Sequence, residues 1–261
     1  MSLREHVVDR ARAGLWMTCV VLWMTSAAAL AGCSSYAVPG GPADISMWAD
    51  ARVADALMTQ PAANFPVNLA VVRVQESGYR HYGYSAYGHG AFSVATGTDI
   101  ESPENLQRLA RLPGITAAVW MNTLLLPAEL RGESDLRRAA ARLHAPILAI
   151  YTLDTDFYQQ ETLAPLTVVT LGLAPNQTMH VQTVASALIL DTQTGYVYGT
   201  AEGRASRKQL ASHWTSEEAV DQSRAKTEAE AFAQLMDEFE KVWKAVEAEY
   251  GQEATNASAN R

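Results

Sequence analysis

The chain is predicted to be an α/β protein, a mixed-sheet α/β sandwich that finishes in an antiparallel meander and a long closing helix. Three observations predict it. Apolar, β-branched runs at 68–75 and 146–153 are separated by segments whose apolar residues recur at helical spacing. Later apolar runs follow one another across short turns with no helix between them, as antiparallel strands do. Finally Phe232, Leu235, Met236, Phe239, Val242, Trp243, Val246 and Tyr250 recur at intervals of three and four, one stripe along a long helix.

The elements follow in order. Ile45, Trp48, Val53, Ala56 and Leu57 make a weak helical pattern behind Asp44 as its N-cap, and Pro61 closes it. Asn68–Gln75 is the first strand and Ala91–Thr96 the second. Ser102-Pro103-Glu104 opens a helix with a hydroxyl cap, a proline in the first turn and an acid facing the helix dipole. Pro113-Gly114 stops it, and Ile115–Leu126 reads as a buried strand and its continuation. Ser134 is expected to cap a second helix, with Leu136, Ala139, Ala140 and Leu143 inward and Arg137, Arg138 and Arg142 outward. Pro146–Leu153 is a strand reached directly from that helix, as a βαβ crossover requires. Strands at 165–173, 180–190 and 196–200 form the meander, the last two joined by the turn Asp191-Thr-Gln-Thr-Gly195. The closing helix spans about 216–250. Its charged start, Glu217 to Glu230, reads as a solvated face ahead of the alternative, an extension beyond the core that meets a partner.

Composition limits the function. The net charge is −8, so the chain lacks the clustered Lys and Arg that nucleic acid or anionic lipid would need. Arg4, Arg10 and Arg12 precede an apolar stretch from Leu15 to Leu30, which ends in small residues and a cysteine. That order is an export signal. As a membrane span the stretch is 16 residues long, below the roughly 20 a bilayer needs. The chain has two cysteines, Cys19 inside the signal and Cys33 at its end. The body therefore has no disulfide, thiolate–zinc site or thiol nucleophile.

Leu30-Ala31-Gly32-Cys33 resembles the bacterial lipobox. The resemblance implies cleavage between Gly32 and Cys33, a palmitate-bearing lipid on Cys33 and no other cofactor. It implies a bilayer as partner through that acylated cysteine. Ser34, in the position that sorts such proteins, implies the periplasmic face of the outer membrane. Domain organisation follows: signal peptide 1–32, a Pro- and Gly-rich tether 33–42, a single α/β domain 43–250 and a disordered tail 251–261.

Two further stretches carry a second resemblance, Leu136–Leu153 (LRRAAARLHAPILAIYTL) and Ala187–Gly195 with its D-x-x-T-G turn. They are similar to the domain shared by curli-secretion lipoproteins and the N-terminal domain of the Tol-Pal β-propeller protein. Penicillin-binding-protein activator lipoproteins have a related fold. Ala145-Pro146 stands where that group usually has Ala-Asp. The resemblance implies an envelope scaffold or a module that binds an envelope protein rather than an enzyme.

Two constellations stand out in the body. Gly78–Gly90 (GYRHYGYSAYGHG) carries Tyr79, Tyr82, Tyr84 and Tyr87, amphipathic side chains that suit a partner-binding surface. A solvated hairpin is the plainer reading, and His81 and His89 lack the spacing of a metal site. Asp154, Asp156 and Glu161 follow the 147–153 strand, with His180 further on, and could serve a hydrolase as acid and base. No nucleophile or phosphate-loop motif accompanies them. A multimeric secretion channel is the third possibility, although 166–190 does not alternate as barrel strands do.

Overall fold

The computed structural model describes residues 57–81, 84–96, 100–161, 177–211 and 217–251. The signal, Gly32, Cys33, the tether, most of the 45–57 helix, Tyr82, the 165–173 strand and residues 252–261 lie outside them.

The fold is α/β, built on a mixed sheet. Its strands are β1 (Val67–Gln75), β5 (Ser93–Ala95), β6 (Ile115–Trp120), β8 (Ile147–Glu161), β9 (Gln177–Asp191) and β10 (Val197–Ala211). Two-residue strands β2 (Arg80–His81), β3 (Tyr84–Ser85), β4 (His89–Gly90) and β7 (Glu129–Leu130) pair as two small ribbons, β2 with β3 and β4 with β7. The helices are α1 (Pro103–Ala110), α2 (Glu133–Arg142) and α3 (Glu217–Val246), the last ending in a π turn at Glu247–Gly251.

The main sheet runs β10-β9-β8-β1, and the far side of β1 is shared. Its first half pairs parallel with β6 (Leu69↔Ala118) and its last residues pair antiparallel with β5 (Val74↔Val94). β1 and β8 are parallel, Leu69↔Ile147 to Arg73↔Tyr151. Where that ladder stops, a side chain continues it. The Gln75 amide donates to the Leu153 carbonyl (2.9 Å) and accepts from the Leu153 N–H (2.9 Å) and the Thr152 hydroxyl (3.0 Å).

The meander is longer than the sequence suggests, since β8, β9 and β10 are fifteen residues each and paired along their length but for a register shift at Tyr198. Asp154, Asp156 and Glu161 consequently lie within β8 rather than in a loop after it. The 115–126 segment is strand only to Trp120, and a 3-10 turn at Thr123–Leu125, capped by the Asn122 side chain on the Leu124 N–H (2.8 Å), follows.

Helices cover both faces. On one, α1 and α3 bury Leu109, Phe232, Leu235, Met236, Phe239 and Trp243 against Val67, Leu69, Val71, Tyr151 and Ile189. At about 1.5–3 kcal/mol for each fully buried large side chain, this layer is the principal stabilising contact of α3. Trp243 is wholly buried, stacks on Phe239 (6.2 Å, 5°) and donates its indole N–H to the Pro113 carbonyl (2.8 Å). Arg108 ties α1 to α3 through Glu240 (2.5 Å) and Asp237 (2.6 Å). On the other face α2 and the 87–94 and 121–130 segments bury Leu136, Ala139, Ala140, Phe92 and Leu130 against Ala70, Val72, Leu148 and Ile150.

Local sequence accounts for the ends. Ser102 caps α1 by accepting from the Asn105 N–H (3.2 Å). For α2 the expected cap is corrected: Gly132 occupies the N-cap, Ser134 lies inside the helix, and the Asp135 carboxylate closes the entry by accepting from the Arg131 N–H (2.8 Å). Arg137 does not face outward into water. It donates to the carbonyls of Thr192 (2.9 Å) and Gln193 in the β9–β10 turn.

The facing of α3 on β10 depends on small residues. Gly199, Ala201, Gly203 and Ala205 occupy alternate positions under the helix. A Cβ on Gly203 would stand 2.3 Å from the Ala231 carbonyl oxygen and 2.3 Å from the Leu235 nitrogen. The helix backbone sits directly on the strand, and the Gln234 side chain accepts from the Arg204 N–H (3.4 Å) at the sheet's edge. Helix cover and the charges of Arg204, Arg207 and Lys208 screen a long edge strand from pairing.

Candidate functional site

Of the tyrosine run, Tyr79 is drawn inside the protein. Tyr79 is 2 % exposed and its hydroxyl lies 3.2 Å from Arg73 Nη2 and 3.3 Å from Arg224 Nη1. The Arg73 guanidinium also sits over its ring, 5.4 Å from the centroid. Burial pushes the Tyr79 phenol up, against the opposing pull of Arg73. Tyr87 is half-buried, pairs with Val94 through its backbone and donates its hydroxyl to the Leu126 carbonyl (3.2 Å). Tyr84 belongs to β3, and His89 is exposed in β4. Among these tyrosines, Tyr79 is already engaged inside the protein.

What Tyr79 joins is a buried ionic cluster that sequence reasoning missed. Arg73 comes from β1 and Asp221, Arg224 and Glu228 from one face of α3, at the i, i+3 and i, i+4 spacings that meet on a helix. Arg224 donates to Glu228 Oε1 (2.7 Å) and to Asp221 Oδ1 (2.6 Å), while Arg73 Nη2 stands 3.7 Å from Glu228 Oε2. Thr155 reaches the same carboxylate (3.4 Å) and bonds Thr183 (3.0 Å). Two cations face two carboxylates, so the cluster is neutral as a whole. Burial alone would lower the Arg224 pKa, but Glu228, Tyr79 and Asp221 raise it on balance, and the guanidinium stays charged. The start of α3 is thus not the solvated face expected: Asp221, Ser223, Arg224, Thr227 and Glu228 are buried. The signal available in the sequence was Arg73, a charge at an inward position of an apolar strand.

A second hub is Asp191, which is fully buried. Its Oδ1 accepts from the N–H groups of Gln193 (2.8 Å) and Thr194 (2.9 Å), forming the turn, and Gly195 completes it at φ 78°. Its Oδ2 accepts from the N–H groups of Ala62 (2.7 Å) and Ala63 (2.8 Å) and from the Tyr198 hydroxyl (3.0 Å). Burial would raise this carboxyl. The N–H donors of Thr194, Ala62 and Gln193 and the Tyr198 hydroxyl outweigh it and hold the pKa below the usual range. Beside it lies a groove of about 540 Å³ between Asn64, His144, Pro146 and Gln193.

The expected acid pair lies elsewhere. Asp154 and Asp156 alternate along β8 on the face away from α3. Partial burial, and then the Asp156 charge, raise the Asp154 pKa. Next to them a shallow cleft of about 240 Å³ has an apolar floor of Val74, Ile150 and Leu188 and a rim of Thr152, Ser186 and Glu202. Among the described residues no group of three or more His, Cys, Asp or Glu is placed to hold a metal ion. No described helix is long and apolar enough to cross a membrane.

No known family model matches the chain, and no curated protein matches it. Among solved structures it is similar to the crystal structure of protein XCC0632 from Xanthomonas campestris, whose title assigns it to the family model DUF330. The likeness covers 71 % of this chain and 90 % of that one, at 10 % identity and a TM-score of 0.34.

Proposed function

We propose that the protein is a bacterial envelope lipoprotein, anchored through acylated Cys33 to the periplasmic face of the outer membrane, whose α/β body binds or scaffolds another envelope component. The observation that carries this is Leu30-Ala31-Gly32-Cys33 at the end of a basic and then apolar leader, ahead of a body with no cysteine. A thiolate is the nucleophile that takes up the diacylglyceryl group, and small residues at the preceding positions fit a peptidase cleft. The acidic body offers no basic patch for membrane attachment, so the lipid carries it. The binding role is supported by the resemblance of Leu136–Leu153 and Ala187–Gly195 to scaffold and partner-binding lipoproteins.

The test is metabolic labelling with palmitate and the intact mass of the mature N-terminus. The expected result is label on the wild type, none on Cys33→Ser, and recovery of the wild type in outer-membrane fractions. A mature chain that begins elsewhere or carries no acyl group overturns the anchor. Crosslinking in whole cells tests the partner, and a chain that crosslinks to no envelope protein overturns the scaffold role.

A further inference from the structure

We propose that the groove beside Asp191 is a binding site for a neutral saccharide that carries an N-acetyl group. The inference needs neither the lipid anchor nor the envelope partner proposed above. At about 540 Å³ the groove falls in the roughly 300–1,000 Å³ range of small-ligand sites. Three segments wall it: residues 62–64, the connection from α2 into β8 at 144–146, and the β9–β10 turn at 191–193.

The walls are fixed before any ligand arrives. Asp191 holds the first by the N–H groups of Ala62 and Ala63 and the third by those of Gln193 and Thr194. The Thr192 N–H donates to the Pro146 carbonyl (2.8 Å), which joins the third wall to the second. The Asn68 amide donates to the His144 carbonyl (3.0 Å). Backbone groups are thus spent on building the groove, and the side chains of Asn64, His144 and Gln193 stay exposed. The bond described for the Asn64 side chain is a long one, to the Ala62 carbonyl (3.4 Å).

His144 carries the argument furthest. It follows the C-cap of α2, and its N–H donates to the Ala141 carbonyl (3.0 Å) while that of Ala145 donates to the Ala140 carbonyl (3.1 Å). These are the two bonds of a Schellman end, a position that glycine fills by preference because φ is positive there. Here φ is 50° and the residue is histidine. No other non-glycine residue among those described has a positive φ. Glycine would stop the helix at lower cost, so the imidazole is kept for something other than the helix end. Strained residues of this kind collect at ligand contacts.

Thr192 is an independent sign. It is 8 % exposed, and its hydroxyl is buried without a hydrogen-bond partner. Buried hydroxyls are ordinarily paired. A turn about χ1 toward the groove would let a ligand supply the missing partner.

The lining selects the ligand. Among its described residues there is no Lys or Arg, and the ionised Asp191 beside them repels an anion. Amide, imidazole and hydroxyl groups offer donors and acceptors together, as the hydroxyls of a sugar require. An acetamido group meets Asn64 and Gln193 as one planar amide meets another, and its methyl suits the small apolar surfaces of Ala62, Ala63 and Pro146.

The test is isothermal titration of the full chain, purified in a sugar-free detergent, with diacetylchitobiose. Cellobiose, which has the same linkage and no acetamido group, is the control. Diacetylchitobiose should saturate one site with a Kd below about 1 mM, and cellobiose should bind about ten-fold more weakly or less. His144→Gly and Thr192→Val should each weaken diacetylchitobiose by about five-fold or more, the loss of one hydrogen bond. Neither should weaken the fold: the urea midpoint should rise for His144→Gly and hold for Thr192→Val. Absence of saturation at about 10 mM overturns the inference. Equal affinity for cellobiose overturns the N-acetyl assignment, and unchanged binding by both variants overturns the site. A lower midpoint for His144→Gly would show that the imidazole serves the fold, which also overturns it.

Discussion

Asp191 and Ala62, 129 positions apart in the chain, meet at 2.7 Å, carboxylate to backbone N–H. One side chain thus both shapes the β9–β10 turn and fastens the segment that leads into β1. Removing it leaves the partly buried N–H donors of Ala62, Ala63, Gln193 and Thr194 without their acceptor. Asp191→Ala should cost about 3–5 kcal/mol in urea unfolding, because the hydrogen bonds of a fully buried carboxylate to four N–H groups and the Tyr198 hydroxyl are lost together. A loss under about 1 kcal/mol would show that water replaces the carboxylate.

The same carboxylate sets an acid limit. Its folded pKa is depressed, so the stability it gives is present above the unfolded value of about 3.9 and is lost as pH falls through the lower folded value. The wild type should lose stability steeply below about pH 4. Asp191→Asn should be less stable at neutral pH and show a flatter profile in that window, as read from unfolding curves collected between pH 2 and 7.

Asp154 should behave oppositely. Its folded pKa is raised, so its ionised form opposes folding above that pKa, and the penalty disappears as pH falls below the unfolded value. Asp154→Asn is expected to stabilise the protein at pH 7 by no more than about 1 kcal/mol, given screening by water, and to make no difference near pH 3. The pH dependence of the variant's midpoint in urea checks the sign.

Breaking the buried cluster should be severe. Glu228→Ala removes the carboxylate that faces both Arg73 and Arg224, leaving buried guanidinium charge under-compensated, and should cost about 3–5 kcal/mol. Tyr79→Phe removes only a hydroxyl between the two arginines and should cost about 1–3 kcal/mol. A double-mutant cycle between Tyr79 and Arg224 should give a coupling above about 0.5 kcal/mol. Additive losses would mean that the two side chains act separately.

The two strand glycines under α3 should differ. At Gly203 an added methyl meets helix backbone, so Gly203→Ala must displace α3 and should lower stability by about 3 kcal/mol or more. At Gly199 it meets only the Val242 Cγ1 atom, at 2.7 Å, and a rotamer change with small shifts accommodates it. Gly199→Ala should cost about 1 kcal/mol or less. Thermal unfolding of the pair ranks them.

Elements with local chemistry were legible in the sequence. Ser102 before proline and Glu104 gave the start of α1, the apolar stripe from Phe232 to Val246 gave the seated face of α3, and Asp191 with Gly195 gave the turn. Features made by distant partners were not. Arg224 and Glu228 look like solvent-facing helix charges until Arg73 and Tyr79, some 150 positions earlier, close over them. The acids at 154 and 156 suggest a loop, yet β8 continues through them to Glu161, and Thr155 and Phe157 keep the strand's alternation. At α2 the hydroxyl of Ser134 drew the cap inward, when Asp135 does the closing from inside the helix.

Gln75 has one more consequence. Its side-chain amide offers the Leu153 peptide a donor and an acceptor together, which is what a neighbouring strand's main chain would offer. The last rung between β1 and β8 is in effect a counterfeit peptide bond. Glutamate has the same outline but no donor, and leucine has neither group. Fitting the space is therefore insufficient at this position, because the substitute must also speak to Leu153 in both directions.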